Sequence, residues 1–366
     1  MNAIFIQHSR PAIDKDDIYS AIKVLSSGKL ATGDEVRIFL KDVCRYVGLD
    51  NCGGVVTNSG TNALYLALRS LGIGNVYGIH LEPGICNDEV IIPSYVCRSV
   101  LSAVEQTGAT PVLADIGSHG YNIDPDDCRI RMTKNTRAII VPHMFGTPAG
   151  IDRFIELSQD TGVPVIEDCA QSIGAGYDGK KMGSFGDLSI FSFYATKCMT
   201  SGGHGGMVIS DSADIIETLN SLTQYDKTKE HSESYNYSLT DLQAVIGRQQ
   251  LKKLDSFIER RQDIAGIYDE VFNDLGQEIP SGGGIYFRYI IEVECPDHYI
   301  REMKNQGIIC ERPVFKPLHQ YLKLDSRNYP NTEMAMDHAI SIPIYPSMSD
   351  AEIDCVCKAI RTVWDK

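Results

Sequence analysis

The sequence predicts an α/β fold: a large domain with a mainly parallel sheet sandwiched by helices, then a smaller C-terminal α+β domain. Three observations predict it. Seven short apolar runs recur between residues 53 and 210, helix-like stretches lie between several of them, and the alternation stops near residue 211. Apolar strands separated by amphipathic helices imply parallel pairing with helices on both faces. The length of 366 residues exceeds one ordinary core and agrees with about two domains.

The runs are GGVVT (53–57), EVIIP (89–93), TPVLADI (110–116), RAIIVPHMFG (137–146), VPVIED (163–168), LSIFSF (188–193) and GGMVIS (205–210). NALYLALRSLGI and the stretch 151–161 read as intervening helices. QYDKTKEHSESYNYS (224–238) has almost no aliphatic residues and reads as a surface loop. Thr240 is a candidate N-cap for one long helix in which Leu242, Val245, Ile246 and Leu254 share a side. After Pro280, IYFRYIIEVE (285–294) alternates like a strand and a helix follows near 297–306. The terminal helix AEIDCVCKAIRTVW has a stripe of Ile353, Val356 and Ile360. The boundary falls near residue 255, giving 1–255 with the N-terminal segment as the large domain and 256–366 as the small one.

Lys and Arg number 34 against 48 Asp and Glu, a net charge of −14, which disfavours a phosphate-backbone binder. An anionic substrate must be held against that field by local donors. No apolar run is long enough for a membrane span, and MNAIFIQHSRPAID lacks a secretory pattern, so a cytoplasmic enzyme is expected. The eleven cysteines are expected to be reduced, mostly buried thiols. Neither Cys44 with Cys52 nor Cys355-x-Cys357 has zinc-site spacing, and the latter pair reads as helix packing.

Chemistry concentrates at three strand ends, where open α/β sheets bind ligands. Asn58-Ser59-Gly60-Thr61-Asn62 follows VVT and opens a helix, so free N–H groups and small hydroxyls can cradle an anion. Read alone, it is more often a capping turn with no ligand. Glu167-Asp168-Cys169-Ala170-Gln171 follows VPVI and places a carboxylate at a strand end, able to cap a helix or meet a cation. Ser192-Phe193-Tyr194-Ala195-Thr196-Lys197 sets a lysine just past a buried aromatic strand; read alone, it is by default a lysine snorkelling to solvent, but if buried, desolvation would free its amine for covalent chemistry.

A phosphate cradle, an aspartate to keep a pyridine nitrogen protonated and a lysine for covalent attachment are what pyridoxal phosphate requires. Their order resembles the fold-type I aminotransferases, and more specifically the sugar aminotransferase family often called DegT/DnrJ/EryC1/StrS. The resemblance runs nearly end to end, through SRPAID, SSGKLATG, NSGTNAL, DEVIIPSY, GATPVLADI, AIIVPHMFGTPAGID, VIEDCAQSIGAGYDGKKMGSFGD, FSFYATK, YNYSLTDLQAVIG, FIERRQDIA and PLHQY…SIPIYP.

The resemblance implies that Lys197 anchors the cofactor and moves the substrate proton. It places Asp168 on the pyridine nitrogen, Gln171 near the ring hydroxyl, and Gly60, Thr61 and Ser192 on the phosphate. Asn236 matches a residue that reaches the phosphate from the neighbouring subunit, which implies a homodimer with shared active sites. Pro142, His143, Gly183 and Gly186 are expected to be structural or to support the site from outside it. The implied reaction moves an amino group, with glutamate as donor, to a keto-sugar in polysaccharide or secondary-metabolite biosynthesis. The implied acceptor is a nucleotide-linked 4-keto or 3-keto deoxysugar; a small phosphorylated ketone or keto-cyclitol is the alternative. Lys197 argues against a sugar dehydratase, where histidine typically replaces it. A cysteine desulfurase-like enzyme using Cys310 lacks the surrounding resemblance, and the intact Lys, Asp and Gln set argues against a non-enzymatic sensor.

The departures from the family pattern carry expectations of their own. Cys97 stands where many members stack an aromatic side chain on the cofactor ring, so either it covers the ring less completely or Tyr95 compensates. Ser238 replaces the arginine of YNYR, and SGGHGG carries His204 in place of an acidic residue. The nearest substitute cations are Arg312 and Lys316, with His319 beside the expected sugar pocket.

Overall fold

The computed structural model describes residues 5–74, 86–226, 232–277 and 284–364. Pro280 and residues 227–231 of the polar stretch lie outside them. Helices α1 (Lys15–Ser27) and α2 (Asp34–Val47) precede strand β1 (Gly53–Thr57), α3 (Gly60–Ser70), β2 (Glu89–Pro93), α4 (Arg98–Thr107), β3 (Thr110–Ala114) and α5 (Pro125–Arg131). Then come β4 (Thr136–Pro142), α6 (Ile151–Thr161), β5 (Val165–Asp168), a small hairpin of β6 (Gly176–Tyr177) and β7 (Lys180–Lys181), β8 (Leu188–Ser192), β9 (Gly206–Ser210) and α7 (Ala213–Thr223). The chain ends with α8 (Asp241–Asp274), β10 (Tyr289–Glu292), α9 (Pro296–Asn305), α10 (Leu318–Tyr321), α11 (Pro330–His338), β11 (Ala339–Ile342) and α12 (Asp350–Trp364).

All seven predicted runs become strands of one sheet, ordered β1-β9-β8-β5-β4-β2-β3. Strands β3, β2, β4, β5 and β8 are mutually parallel, and β9 alone runs against its neighbours β8 and β1. Successive side chains go to opposite faces, so Ile139 and Val141 join a core with Phe39, Phe154 and Leu254, while Ile140 joins one with Leu66, Leu101 and Leu219. Each such side chain, fully buried, contributes about 1.5–3 kcal/mol. Gly247 lets α8 close on α2, because a Cβ there would meet the Phe39 ring at 2.6 Å.

Thr240 caps α8 in a reciprocal capping box with Gln243. The stripe differs from the expected one: Val245 and Leu254 are buried, but Leu242 and Ile246 are only half-buried, and Ala244, Gly247 and Leu251 complete it. Up to Ile258 the helix feeds the sheet core, and from Ile264 it feeds a second core with β10, β11 and α12. The N-terminal segment reaches that second core too, because Ile6 bridges Ile308. The strand expected over 285–294 pairs only over 289–292. Among the described residues no helix is long and apolar enough to cross a membrane.

The expectation of reduced cysteines needs one correction. Gly48, in the left-handed region at φ 86°, caps α2 and turns the chain back, so Cys52 comes within 5.9 Å (Cα–Cα) of Cys44 and the two form a disulfide. The other nine are free thiols. Of the terminal pair, Cys357 packs against the second core but Cys355 is exposed, so packing describes only one of them.

Candidate active site

Parallel pairing carries the ends of β1, β2, β5 and β8 to one edge of the sheet, and β9, running against them, begins there. Register places Thr57 beside Gly206 and Gly206 beside Ser192. A cavity of about 260 Å³ opens at that edge, lined by Gly60 and Thr61 after β1, Cys97 after β2, Asp168 and Gln171 from β5, and Ser192 and Lys197 from β8. These seven residues, all singled out from sequence, thus meet around one space.

Glu167 and Asp168 divide by strand alternation. The Glu167 carboxylate points away from the cavity and accepts from the N–H groups of Gly183 (2.8 Å), Phe185 and Gly186 (both 2.7 Å). His143 Nδ1 accepts from the Ala149 N–H, which leaves Nε2–H to donate to Glu167 at 3.3 Å. Burial pushes the Glu167 carboxyl up, but His143 and these backbone donors outweigh it and hold it below the usual range. His143, Glu167 and Cys169 are close enough for a buried metal cluster, yet both Glu167 oxygens and His143 Nδ1 already have protein partners. This set is structural.

Asp168 is buried and faces the cavity. Its Oδ1 accepts from the Ala170 N–H at 2.9 Å, and Oδ2 has no hydrogen-bond partner among the described residues. Burial raises its carboxyl above the ordinary value, opposed by the Ala170 N–H and by the Lys197 ammonium. A carboxylate so placed is stabilised by a cation entering the cavity.

Lys197 follows a tight turn in which its N–H donates to the Tyr194 carbonyl at 3.0 Å. Its half-buried ammonium lies 5.1 Å from the centroid of the Phe287 ring and has no hydrogen-bond or ion-pair partner among the described residues. Across the cavity, Ser59 caps α3 through the Asn62 N–H, leaving the first N–H groups of that helix toward the cavity. A Cβ on Gly60 would meet Ser192 Cβ at 2.8 Å, and one on Gly206 would meet the Ser59 carbonyl at 2.4 Å. Both positions must stay bare for the cradle to close.

Gln171 is held by its Oε1 accepting from the N–H of Phe145, a non-glycine residue at φ 58°. Cys97 is exposed, with Sγ 2.8 Å from Ser99 Oγ. Tyr95 does not compensate for it: that ring is fully buried against Tyr121, away from the cavity. The cavity wall has further members that the sequence reading passed over, chiefly Tyr194 and Ser99, while His204, noted only as a departure, packs 5.0 Å from Tyr194. Tyr194 lies inside FSFYATK, and Ser99 would have emerged from applying strand-end logic to β2 as well.

A family model described as the DegT/DnrJ/EryC1/StrS aminotransferase family matches residues 11–361. The chain belongs to that family. It is 32% identical to the spore coat polysaccharide biosynthesis protein SpsC of Bacillus subtilis (98% of this chain, 97% of SpsC). It is 30% identical to the dTDP-3-amino-3,4,6-trideoxy-α-D-glucose transaminase of Micromonospora megalomicea (96% and 95%). Among solved structures it resembles DesV of S. venezuelae at 28% identity with a TM-score of 0.87 (96% and 94%). The protein is therefore an aminotransferase of the fold-type I, pyridoxal-phosphate-dependent class. The residues present fit that cofactor: a bare-backbone cradle at Gly60 and, among the described residues, a buried carboxylate with a free oxygen at Asp168 and an unpaired amine at Lys197.

The other four candidate site residues, Asn236, Arg312, Lys316 and His319, lie outside the cavity lining. Asn236 is exposed next to the cradle, where Asn58 N–H donates to the Tyr237 carbonyl at 2.7 Å and Ser238 bridges Thr57. Arg312 pairs with Asp297 and donates to the Met336 carbonyl. Lys316 lies over the Tyr321 ring. His319 does not stand beside an open pocket: it is fully buried, with Nδ1 2.6 Å from Ser94 Oγ, Nε2 2.5 Å from Glu333 Oε1, and its ring stacked on Tyr329. Its three partners leave it no face for a sugar.

Proposed function

We propose that this aminotransferase takes an amino group from L-glutamate and gives it to a nucleotide-linked 4-keto or 3-keto deoxysugar. The observation that carries the reading is the single cavity bounded by Lys197, Asp168 and the α3 cradle. The cofactor, when bound, supplies the electron sink for the carbon that loses its proton. Lys197 Nζ anchors the cofactor and then moves that proton. Asp168, buried with Oδ2 free, holds a proton on the pyridine nitrogen. Gly60, Thr61 and Ser192 hold the phosphate through hydroxyl and N–H donors, and Gln171 flanks the ring from a position locked by Phe145. The transaminase relative named for a dTDP-linked sugar supports a nucleotide-linked acceptor.

The working unit in this reading is a homodimer in which Asn236 completes the partner's cradle. Support comes from α1, where Ile18, Ile22 and Leu25 are 54%, 50% and 51% exposed at the spacing of one helix face. An apolar stripe of this kind faces a core or a second chain. The deciding experiment is a half-reaction screen. Glutamate should convert the cofactor absorbance with release of 2-oxoglutarate, and a keto-sugar nucleotide should restore it. Restoration by free keto-cyclitols or phosphorylated ketones, with none by nucleotides, would sink this acceptor class.

A further inference from the structure

In this acidic chain nearly every arginine is satisfied by a polar partner. Among the described residues Arg98 is the only one with no hydrogen bond or ion pair. Its guanidinium lies instead 5.3 Å from the centroid of the Tyr321 ring. The Lys316 ammonium lies 4.8 Å from the centroid of the same ring, and it too has no carboxylate partner among the described residues. Both cations are attracted to the ring, and neither has an anion beside it to neutralise its charge, which leaves each able to take one.

Arg98 adjoins the cofactor cavity, and Lys316 is tied to Arg98 through the shared Tyr321 ring. Arg98 opens α4 between Cys97 and Ser99, both of which line the cavity, and α4 has no side-chain cap. Tyr321 ends α10, which is docked on the exit of β2 by the Leu318 N–H to the Ser94 carbonyl (2.8 Å) and by His319 on Ser94 Oγ. Buried His319 is therefore a positioning residue for the Tyr321 ring. Arg312, already paired with Asp297, is not available for a ligand.

We propose that Arg98 and Lys316 form an anion subsite that holds the diphosphate of the acceptor, so that its ketone reaches past Cys97 toward Lys197. The inference rests on the aminotransferase reading above and adds to it the residues that meet the acceptor's charge. A guanidinium offers a planar, bidentate fork to phosphate oxygens and a lysine a point charge, a suitable pair for two linked phosphates. Phe315, next to Lys316, is 88% exposed and offers an apolar ring beside that cation, which favours a nucleoside diphosphate over a sugar phosphate.

The test is calorimetric titration of cofactor-loaded enzyme with UDP, GDP and dTDP, alongside uridine and glucose 1-phosphate. At least one diphosphate should bind, more weakly as salt rises, and more tightly than uridine or glucose 1-phosphate. Arg98→Gln and Lys316→Gln should each weaken it by about tenfold or more, the usual loss for a charge-assisted hydrogen bond. Both variants should keep the cofactor absorbance and the glutamate half-reaction. Glucose 1-phosphate binding as tightly as the best diphosphate would overturn the nucleotide assignment. No diphosphate binding, or dissociation constants within about twofold in both variants, would overturn the subsite. If wild-type enzyme fails the glutamate half-reaction but binds diphosphate through both cations, the aminotransferase reading falls and the subsite stands.

Discussion

Glu167 and Asp168 are neighbours on β5 that serve opposite faces of the sheet: one carboxylate is saturated by protein donors, and the other keeps Oδ2 free toward the cavity. Two adjacent acids therefore have separable jobs, and substitutions should separate them.

Glu167→Gln should destabilise the fold by about 3–5 kcal/mol, because an amide brings its own N–H against a ring of donors. The pH dependence has a definite sign. The folded carboxyl lies below its unfolded value, so its stabilisation is present above the unfolded value and is lost as pH falls through the folded one. Melting temperature against pH should drop on the acid side in wild type and more shallowly in Glu167→Gln. Parallel acid limbs would mean that Glu167 carries no stabilising charge.

Asp168→Asn should leave the melting temperature near wild type while lowering turnover on the order of a hundredfold or more, since a neutral amide cannot hold the ring proton. Near-normal turnover would reduce Asp168 to a cap for the Ala170 N–H.

Much of this was legible beforehand, because strands buried on both faces announce themselves as apolar runs and a parallel sheet gathers their ends at one edge. Residues at those ends, Gly60, Asp168, Ser192 and Lys197, were therefore accessible to sequence reasoning. What escaped depends on long-range docking. Nothing local to PLHQY says that His319 is sealed by Ser94 and Glu333, or that Tyr321 meets Arg98 more than two hundred residues earlier in the chain. The disulfide escaped because composition argues about compartments, whereas the left-handed turn at Gly48 decides whether Cys44 and Cys52 meet.

Cys97 should be alkylated by iodoacetamide in cofactor-free enzyme and protected in loaded enzyme. Cys295 and Cys355, exposed but absent from the cavity lining, are internal controls that should label equally in both forms. Equal labelling of Cys97 in both, read by peptide mapping, would place the cofactor away from that wall.

Reducing the Cys44–Cys52 bond, or replacing both residues by serine, should cost about 2–3 kcal/mol on the chain-entropy account of a short closed loop. The short loop joins α2 to β1, so the loss should appear as a lower melting temperature in dithiothreitol without a change in cofactor absorbance. An unchanged melting temperature would mean that packing of Val43 and Val47 already fixes this corner.

Asn236 should act in trans. Its backbone is pinned to the edge of β1 by the Asn58–Tyr237 hydrogen bond and the Thr57–Ser238 bridge, yet its side chain is exposed. A residue held rigidly beside a phosphate cradle but facing outward suits a second chain's site. The test mixes an inactive Lys197→Ala chain with an Asn236→Trp chain after co-refolding. Only the mixed dimer has a site with native Lys197 from one chain and native Asn236 from the other. Random pairing makes half the dimers mixed with one native site each, so activity should return to about a quarter of wild type. Lack of rescue, with mixed dimers verified by mass, would mean that each chain completes its own site and that the exposed α1 stripe serves another purpose.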